Sequence, residues 1–98
     1  MGFAIIFSPQ ALTNLAEIVA YVAQSDPTKA EKLGNELVDR VQVLAEYPHI
    51  GTPYRKRPRV RMLHARPYII YYRVKPRRRV VESLRYWHAA RVKPKLRG

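Results

Sequence analysis

The chain has 98 residues, enough for one domain and too few for a second core. With 47% hydrophobic and 27% charged residues it is not a disordered chain, and without cysteine it has neither a disulfide framework nor a thiolate metal site, which fits a reducing cytoplasm. The formal charge of +12 is polarised: residues 1–50 hold three basic against six acidic side chains, residues 51–98 sixteen against Glu82 alone. Such a chain presents a positive face suited to nucleic acid, an anionic surface or an acidic protein.

Residues 3–7, FAIIF, form a short apolar run with a β bias, which predicts a buried strand. No signal peptide is expected, because this run is short and lacks a basic leader. No apolar run approaches the roughly 20 residues of a membrane span. Ser8-Pro9 is a helix start, with Ser8 as N-cap and Pro9 where its missing N–H costs nothing. Through residue 24, Ala11, Leu15, Ile18 and Val22 keep helical spacing, and Leu12 and Val19 are expected to widen the stripe. Asp26-Pro27 repeats the start signal, and Ala30, Leu33, Leu37, Val41 and Leu44 form a second apolar seam that ends before Pro48. So short a connection makes the two helices an antiparallel hairpin, whose stripes need a sheet to cover.

Residues 48–53 read as a turn-rich connector and residues 54–58, YRKRP, as a basic loop. Three strands follow within residues 59–91, separated by Pro67 and by Lys75-Pro76-Arg77. Alternation puts Tyr68, Ile70, Tyr72 and Val74 on one face of the middle strand, with Ile69, Tyr71 and Arg73 on the other. It likewise puts Val80, Glu82, Leu84, Tyr86 and His88 opposite Val81, Ser83, Arg85 and Trp87. Neither strand is apolar on one side only, so the core face stays open at this point. The expected architecture is α+β in two layers: an N-terminal strand and an antiparallel helical hairpin packed on a mainly antiparallel sheet that three C-terminal strands complete. One domain spans 1–98, with residues 92–98 a basic tail expected to fray.

The acids lie almost wholly on the hairpin, so no pair of carboxylates is available for acid–base work in the basic half. His49, His64 and His88 lack metal-ligand spacing, and neither a metal nor a cofactor is expected. His88 reads first as a strand-end histidine bonded to backbone and second as a proton-transfer residue. The rings of Tyr68, Tyr71, Tyr72, Tyr86 and Trp87 suit strand packing before base stacking. Arg59, Arg61, Arg85 and Arg91 recur along consecutive strands and could converge on one surface, where arginine forks suit phosphates or carboxylates. With Tyr86, Trp87 and His88 they make the candidate target-binding set.

The element order and local wording resemble the ParE/RelE toxin superfamily. The matching pieces are F-S-P-Q-A before the first helix, L-x-x-I-x-x-Y-V at 15–22 and L-x-x-Y-P-H-I-G at 44–51. V-R-M-L at 60–63, P-Y-I-I-Y-Y-R-V at 67–74 and L-R-Y-W-H-A-A-R at 84–91 continue the series through about nine-tenths of the chain. The resemblance implies a cytoplasmic bacterial toxin, plasmid- or chromosome-borne, neutralised by an acidic antitoxin. It also implies two possible targets, DNA gyrase in the ParE branch and ribosome-bound mRNA in the RNA-cutting RelE branch.

Cutting RNA needs a group to accept the 2′-OH proton, one to protonate the leaving oxygen and cations to hold the phosphorane. In the RNA-cutting branch these are strand lysines, an arginine after the tyrosine of the next strand, an arginine after the last strand, and a terminal tyrosine or histidine. Here Arg59 and Arg61 stand near the lysine positions, but arginine is a poor base. The arginine expected after Tyr68 is Ile69, Arg91 matches the post-strand arginine, and no tyrosine or histidine follows it. A nuclease would have to use Arg61, Arg91 and His88. The balance favours a ParE-like toxin that binds gyrase without chemistry of its own. A degenerate mRNA endonuclease and a basic nucleic-acid-binding module are the alternatives.

Overall fold

Both helix starts form as written in the sequence. In the computed structural model, which describes residues 2–90, Ser8 and Asp26 cap the two helices. Ser8 Oγ accepts from the Ala11 amide at 3.0 Å and Asp26 Oδ1 from the Lys29 amide at 3.0 Å, each satisfying one donor that a helix start leaves unpaired. The first helix, α1, spans Pro9–Ala23, and α2 spans Pro27–Gln42 before tightening into a 3₁₀ turn at Val43–Ala45. The strands are β1 (Ala4–Phe7), β2 (Thr52–Tyr54), β3 (Arg57–Ala65), β4 (Tyr68–Lys75) and β5 (Val80–His88). They form one sheet in the order β1-β5-β4-β3-β2, antiparallel except for β1 against β5. This is the α+β, two-layer arrangement expected. Among the described residues, no helix is long and apolar enough to cross a membrane.

The α2 seam packs as its spacing requires: Ala30 is buried, and Leu37, Val41 and Leu44 are buried with Leu63, Ile70, Tyr72, Val81 and Tyr86 of the sheet. Each large apolar side chain so buried contributes about 1.5–3 kcal/mol. Ala11, Leu15 and Ile18 complete this core from α1. Leu12 does not join it; it is 52% exposed, because α1 rests on the sheet by a narrower stripe than its sequence suggests.

Two further expectations are corrected. A five-stranded sheet replaces the four strands expected, since the connector and basic loop contain β2 and the start of β3. With three residues, one of them Pro53, β2 falls below the length at which periodicity registers. The faces of β5 also differ from simple alternation. A bulge opposes Tyr71 to Arg85 but Tyr72 to Ser83, leaving Leu84 as the additional residue. Val81 and Ser83 therefore face the helices, as do Tyr86 and His88 beyond the bulge, whereas Glu82, Leu84, Arg85 and Trp87 face away. On β4 the expected alternation holds, and its Tyr68, Ile70, Tyr72 and Val74 set is the core face.

Candidate functional site

The six described candidates, Arg59, Arg61, Arg85, Tyr86, Trp87 and His88, fall in separate places, because strand alternation and the bulge send them to different faces. Arg61 pairs across the sheet with Tyr72, on the helix side, and Arg59 shares that side by alternation. Both lie where β3 begins, lining a cleft of about 460 Å³ with His49, Pro58, Arg73 and Lys75. Arg61 Nη2 donates to the His49 carbonyl at 3.1 Å, while Arg61 Nε is buried without a partner. Arg73 and Lys75 share one acid: Glu82 Oε1 accepts from Arg73 Nε at 2.8 Å and lies 3.6 Å from Lys75 Nζ.

Arg85 and Trp87 lie on the opposite, helix-free face. The Arg85 guanidinium stands 5.6 Å from the Trp87 ring centroid, a cation–π distance. Trp87 packs with Ile69, Met62 and Leu84 around buried Tyr54, Val60 and Tyr71. Tyr54 meets Tyr71 edge-on at 5.3 Å. The Tyr71 hydroxyl and Trp87 Nε1 are buried with no hydrogen-bond partner, and burial, reinforced by Tyr54, pushes the Tyr71 hydroxyl pKa up. This face is thus apolar and aromatic at its centre, with two unmet polar groups and an arginine over a ring.

Tyr86 is a core residue. It is 2% exposed and its hydroxyl donates to the Leu37 carbonyl at 3.0 Å, so it holds β5 to α2 and offers no surface to a target. Burial pushes its hydroxyl pKa strongly up. His88, on the helix side at the far end of β5, meets the Tyr68 ring edge-on at 5.4 Å, and its Nδ1 accepts from the Ala90 amide at 3.1 Å. That is the backbone-bonded strand-end histidine. It lines a groove of about 320 Å³ with Tyr68 and one face of α1: Asn14, Glu17 and Tyr21. Sequence reasoning missed these α1 residues, although their i, i+3, i+7 spacing off the apolar stripe was a readable signal. Arg91 and residues 92–98 lie outside the described residues.

Of the nuclease set, the register sets the two described members, Arg61 and His88, apart. Arg61 stands opposite Tyr72 and His88 opposite Tyr68, four residues apart on β4 and two strands apart across it. That places their backbones roughly 16 Å apart, whereas acid–base partners must reach one substrate at hydrogen-bond distance. Ile69 pairs with Trp87 on the face away from Arg61.

Comparison with known proteins agrees with this fold. Residues 5–93 match the family described as ParE toxin of the type II toxin–antitoxin system parDE. The curated Sinorhizobium fredii protein named "Putative toxin Y4kP" is 42% identical over 64 residues, covering 64% of this chain and 67% of that protein. The chromosomal ParDE TA system from P. aeruginosa superposes with a TM-score of 0.74 at 26% identity, over 88% of this chain and 95% of that one. The RelBE2 toxin–antitoxin complex of Mycobacterium tuberculosis shares the fold, with a TM-score of 0.68 at 19% identity over 90% and 99% of the two chains. With its strand–hairpin–sheet order and a family match along most of its length, the chain belongs to the ParE toxin family of type II toxin–antitoxin systems.

Proposed function

We propose that this toxin arrests growth in the cytoplasm by binding DNA gyrase, without chemistry of its own, and that a cognate acidic antitoxin neutralises it. The observation that carries this reading is Ile69. Where the RNA-cutting branch needs an arginine, this chain has an aliphatic side chain packed with Trp87 and Met62, on the face away from Arg61. The separation of Arg61 from His88 supports the same reading, since acid–base partners must share one phosphate. The helix-free face, with Arg85 over Trp87, has the aromatic and arginine character that anchors protein interfaces. It is the target surface in this reading.

The antitoxin is proposed to lie across the hairpin and sheet, pairing its carboxylates with the basic half. Tyr21, 73% exposed beside the groove, and Leu12 offer it apolar anchors on α1. The structural relatives named as ParDE and RelBE2 assemblies support a partner of this kind.

The test is a gyrase supercoiling assay with purified toxin, with and without the product of the adjacent gene. Inhibition relieved by that product is the expected result. Full supercoiling at large toxin excess overturns the gyrase reading, and ribosome-dependent cuts in mapped mRNA ends after induction would replace it with the nuclease.

A further inference from the structure

Sheet topology gathers the positive charge of this chain at one pole. β3 starts, β4 ends and β5 starts at the same end of the sheet, as the pairs Val60–Arg73 and Lys75–Val80 require. That end therefore carries two basic turns, Arg55-Lys56 leading into Arg57 at the start of β3, and residues 77–79 between β4 and β5. Between them lies the cleft lined by Arg59, Arg61, Arg73 and Lys75. Ten of the nineteen lysines and arginines stand there, and the one acid of residues 51–98, Glu82, is already shared by Arg73 and Lys75. The turn centres are two strand spacings apart, roughly 10 Å.

We propose that this pole seats the phosphodiester backbone of a nucleic acid, one phosphate in the cleft and its neighbours on the two turns. Arg61 supplies the specific feature of the seat. Its guanidinium lines the cleft and is fixed there by the His49 carbonyl, so the fork is held in place before a phosphate arrives. The side chains of residues 55–57 and of Arg77 and Arg78 are exposed on the turns, where they can follow a chain of phosphates. An acidic peptide is the competing ligand, with exposed Tyr47 and Ile50 near His49 as its anchors. The cleft itself favours the phosphodiester, since Arg59, Arg61, Arg73 and Lys75 bring four cationic side chains to one opening. The seat is distinct from the Arg85–Trp87 face and does not depend on the gyrase reading, because nucleic acid alone reveals it.

The experiment is fluorescence anisotropy of the full chain with a labelled 20-base-pair DNA duplex, a single strand and an RNA of equal length, across a potassium chloride series. About five phosphate contacts give a log–log salt slope near −4.5 for the duplex, a loss of about 500-fold between 50 and 200 mM. Combining Arg59→Gln, Arg77→Gln and Arg78→Gln is expected to weaken binding at least tenfold at 100 mM salt and to flatten the slope by about 2–3. Combining Lys29→Gln, Lys32→Gln and Arg66→Gln, which removes equal charge elsewhere, is expected to cost less than threefold. Equal losses in the two sets, or no loss in either, overturn the pole as the site. Displacement of duplex by polyglutamate at matched charge concentration overturns the phosphodiester assignment in favour of the acidic peptide. Arg77→Gln and Arg78→Gln singly, on an exposed turn, repeat the test if the triple variant fails to fold.

Discussion

Ser8 Oγ, the N-cap of α1, donates a 2.9 Å hydrogen bond to the carbonyl of Leu84, the additional residue of the β5 bulge. The same oxygen accepts from the Ala11 amide, and the Ser8 amide donates to the Ser83 carbonyl at 2.9 Å. Farther along the same edge, Asn14 Oδ1 accepts from the Tyr86 amide at 3.2 Å. The start of α1 thus satisfies the outer edge of β5 where β1, only four residues long, no longer reaches it. Ser8→Ala should cost about 2 kcal/mol, and Asp26→Ala, which removes a cap without a sheet bond, about 1 kcal/mol. Urea unfolding of the two variants checks the difference.

Tyr86 gives the fold an alkaline limit. Its native pKa and that of Tyr71 are raised, chiefly by burial, while the unfolded tyrosines ionise near 10. Above that pH the unfolded chain releases protons that the native chain keeps. Stability from this source is therefore complete below pH 10 and declines above it, by up to about 1.4 kcal/mol per pH unit for each tyrosine. Tyr86→Phe should cost about 1 kcal/mol at pH 7 through the lost bond to Leu37 and should make the decline shallower. Thermal unfolding from pH 9 to 11.5 measures both effects.

Gly51 is required by a close approach. A Cβ built there would lie 2.5 Å from the Met62 carbonyl oxygen and 2.7 Å from the Tyr72 hydroxyl, which itself accepts from the Gly51 amide at 3.0 Å. Gly51→Ala is expected to lose about 2–4 kcal/mol by forcing β2 from its place, and Tyr72→Phe about 1–3 kcal/mol by leaving a buried amide unpaired. Denaturant midpoints give both values, and the double variant should lose less than their sum.

Arg79 occupies a left-handed conformation, φ 52°, that favours glycine. It closes the turn into β5: its carbonyl accepts from the Ala4 amide at 2.8 Å, and its guanidinium stands 4.8 Å from the Phe3 ring centroid. Arg79→Ala and Arg79→Gly both remove the ring contact, but only glycine relieves the backbone. The glycine variant should be more stable than the alanine variant by about 1 kcal/mol, read as a difference in melting temperature.

The helix-free face makes a functional prediction. Arg85→Gln and Trp87→Ala should weaken gyrase inhibition about tenfold or more, as anchors of an interface do when truncated. Arg66→Gln, on the β3–β4 turn, should leave inhibition unchanged. Supercoiling assays on variants with native circular dichroism check this.

The parts of the fold legible in the sequence are those set by local chemistry. Ser8-Pro9 and Asp26-Pro27 mark both helices, and the Leu37–Val41–Leu44 spacing marks a buried seam wherever the rest of the chain lies. Leu84 marks the limit. A bulge adds one residue without changing residue type, so strict alternation grouped Tyr86 and His88 with Leu84, from which the bulge separates them. Fully buried Ser83, a polar residue in the core face of β5, hid the face itself. The candidate site was less legible than the fold, because reading arginines along consecutive strands says nothing of which side each faces. Arg61 and Arg85 lie on opposite sides of the sheet, and Tyr86 turned from surface to core for the same reason.

The parallel pairing of β1 with β5 also dictates an order of events in synthesis. Ala4 finds its sheet partner only at Val80, so β1 must wait for β5. While the chain emerges at about 5–20 residues per second, the hairpin can form early, but the sheet has no complete edge until β5 has emerged. A prematurely terminated chain would lack both β5 and the Arg85–Trp87 face. Under the reading proposed here, toxicity begins only once β5 is made, and copies that stop short of it are substrates for proteolysis before they can harm the cell that makes them.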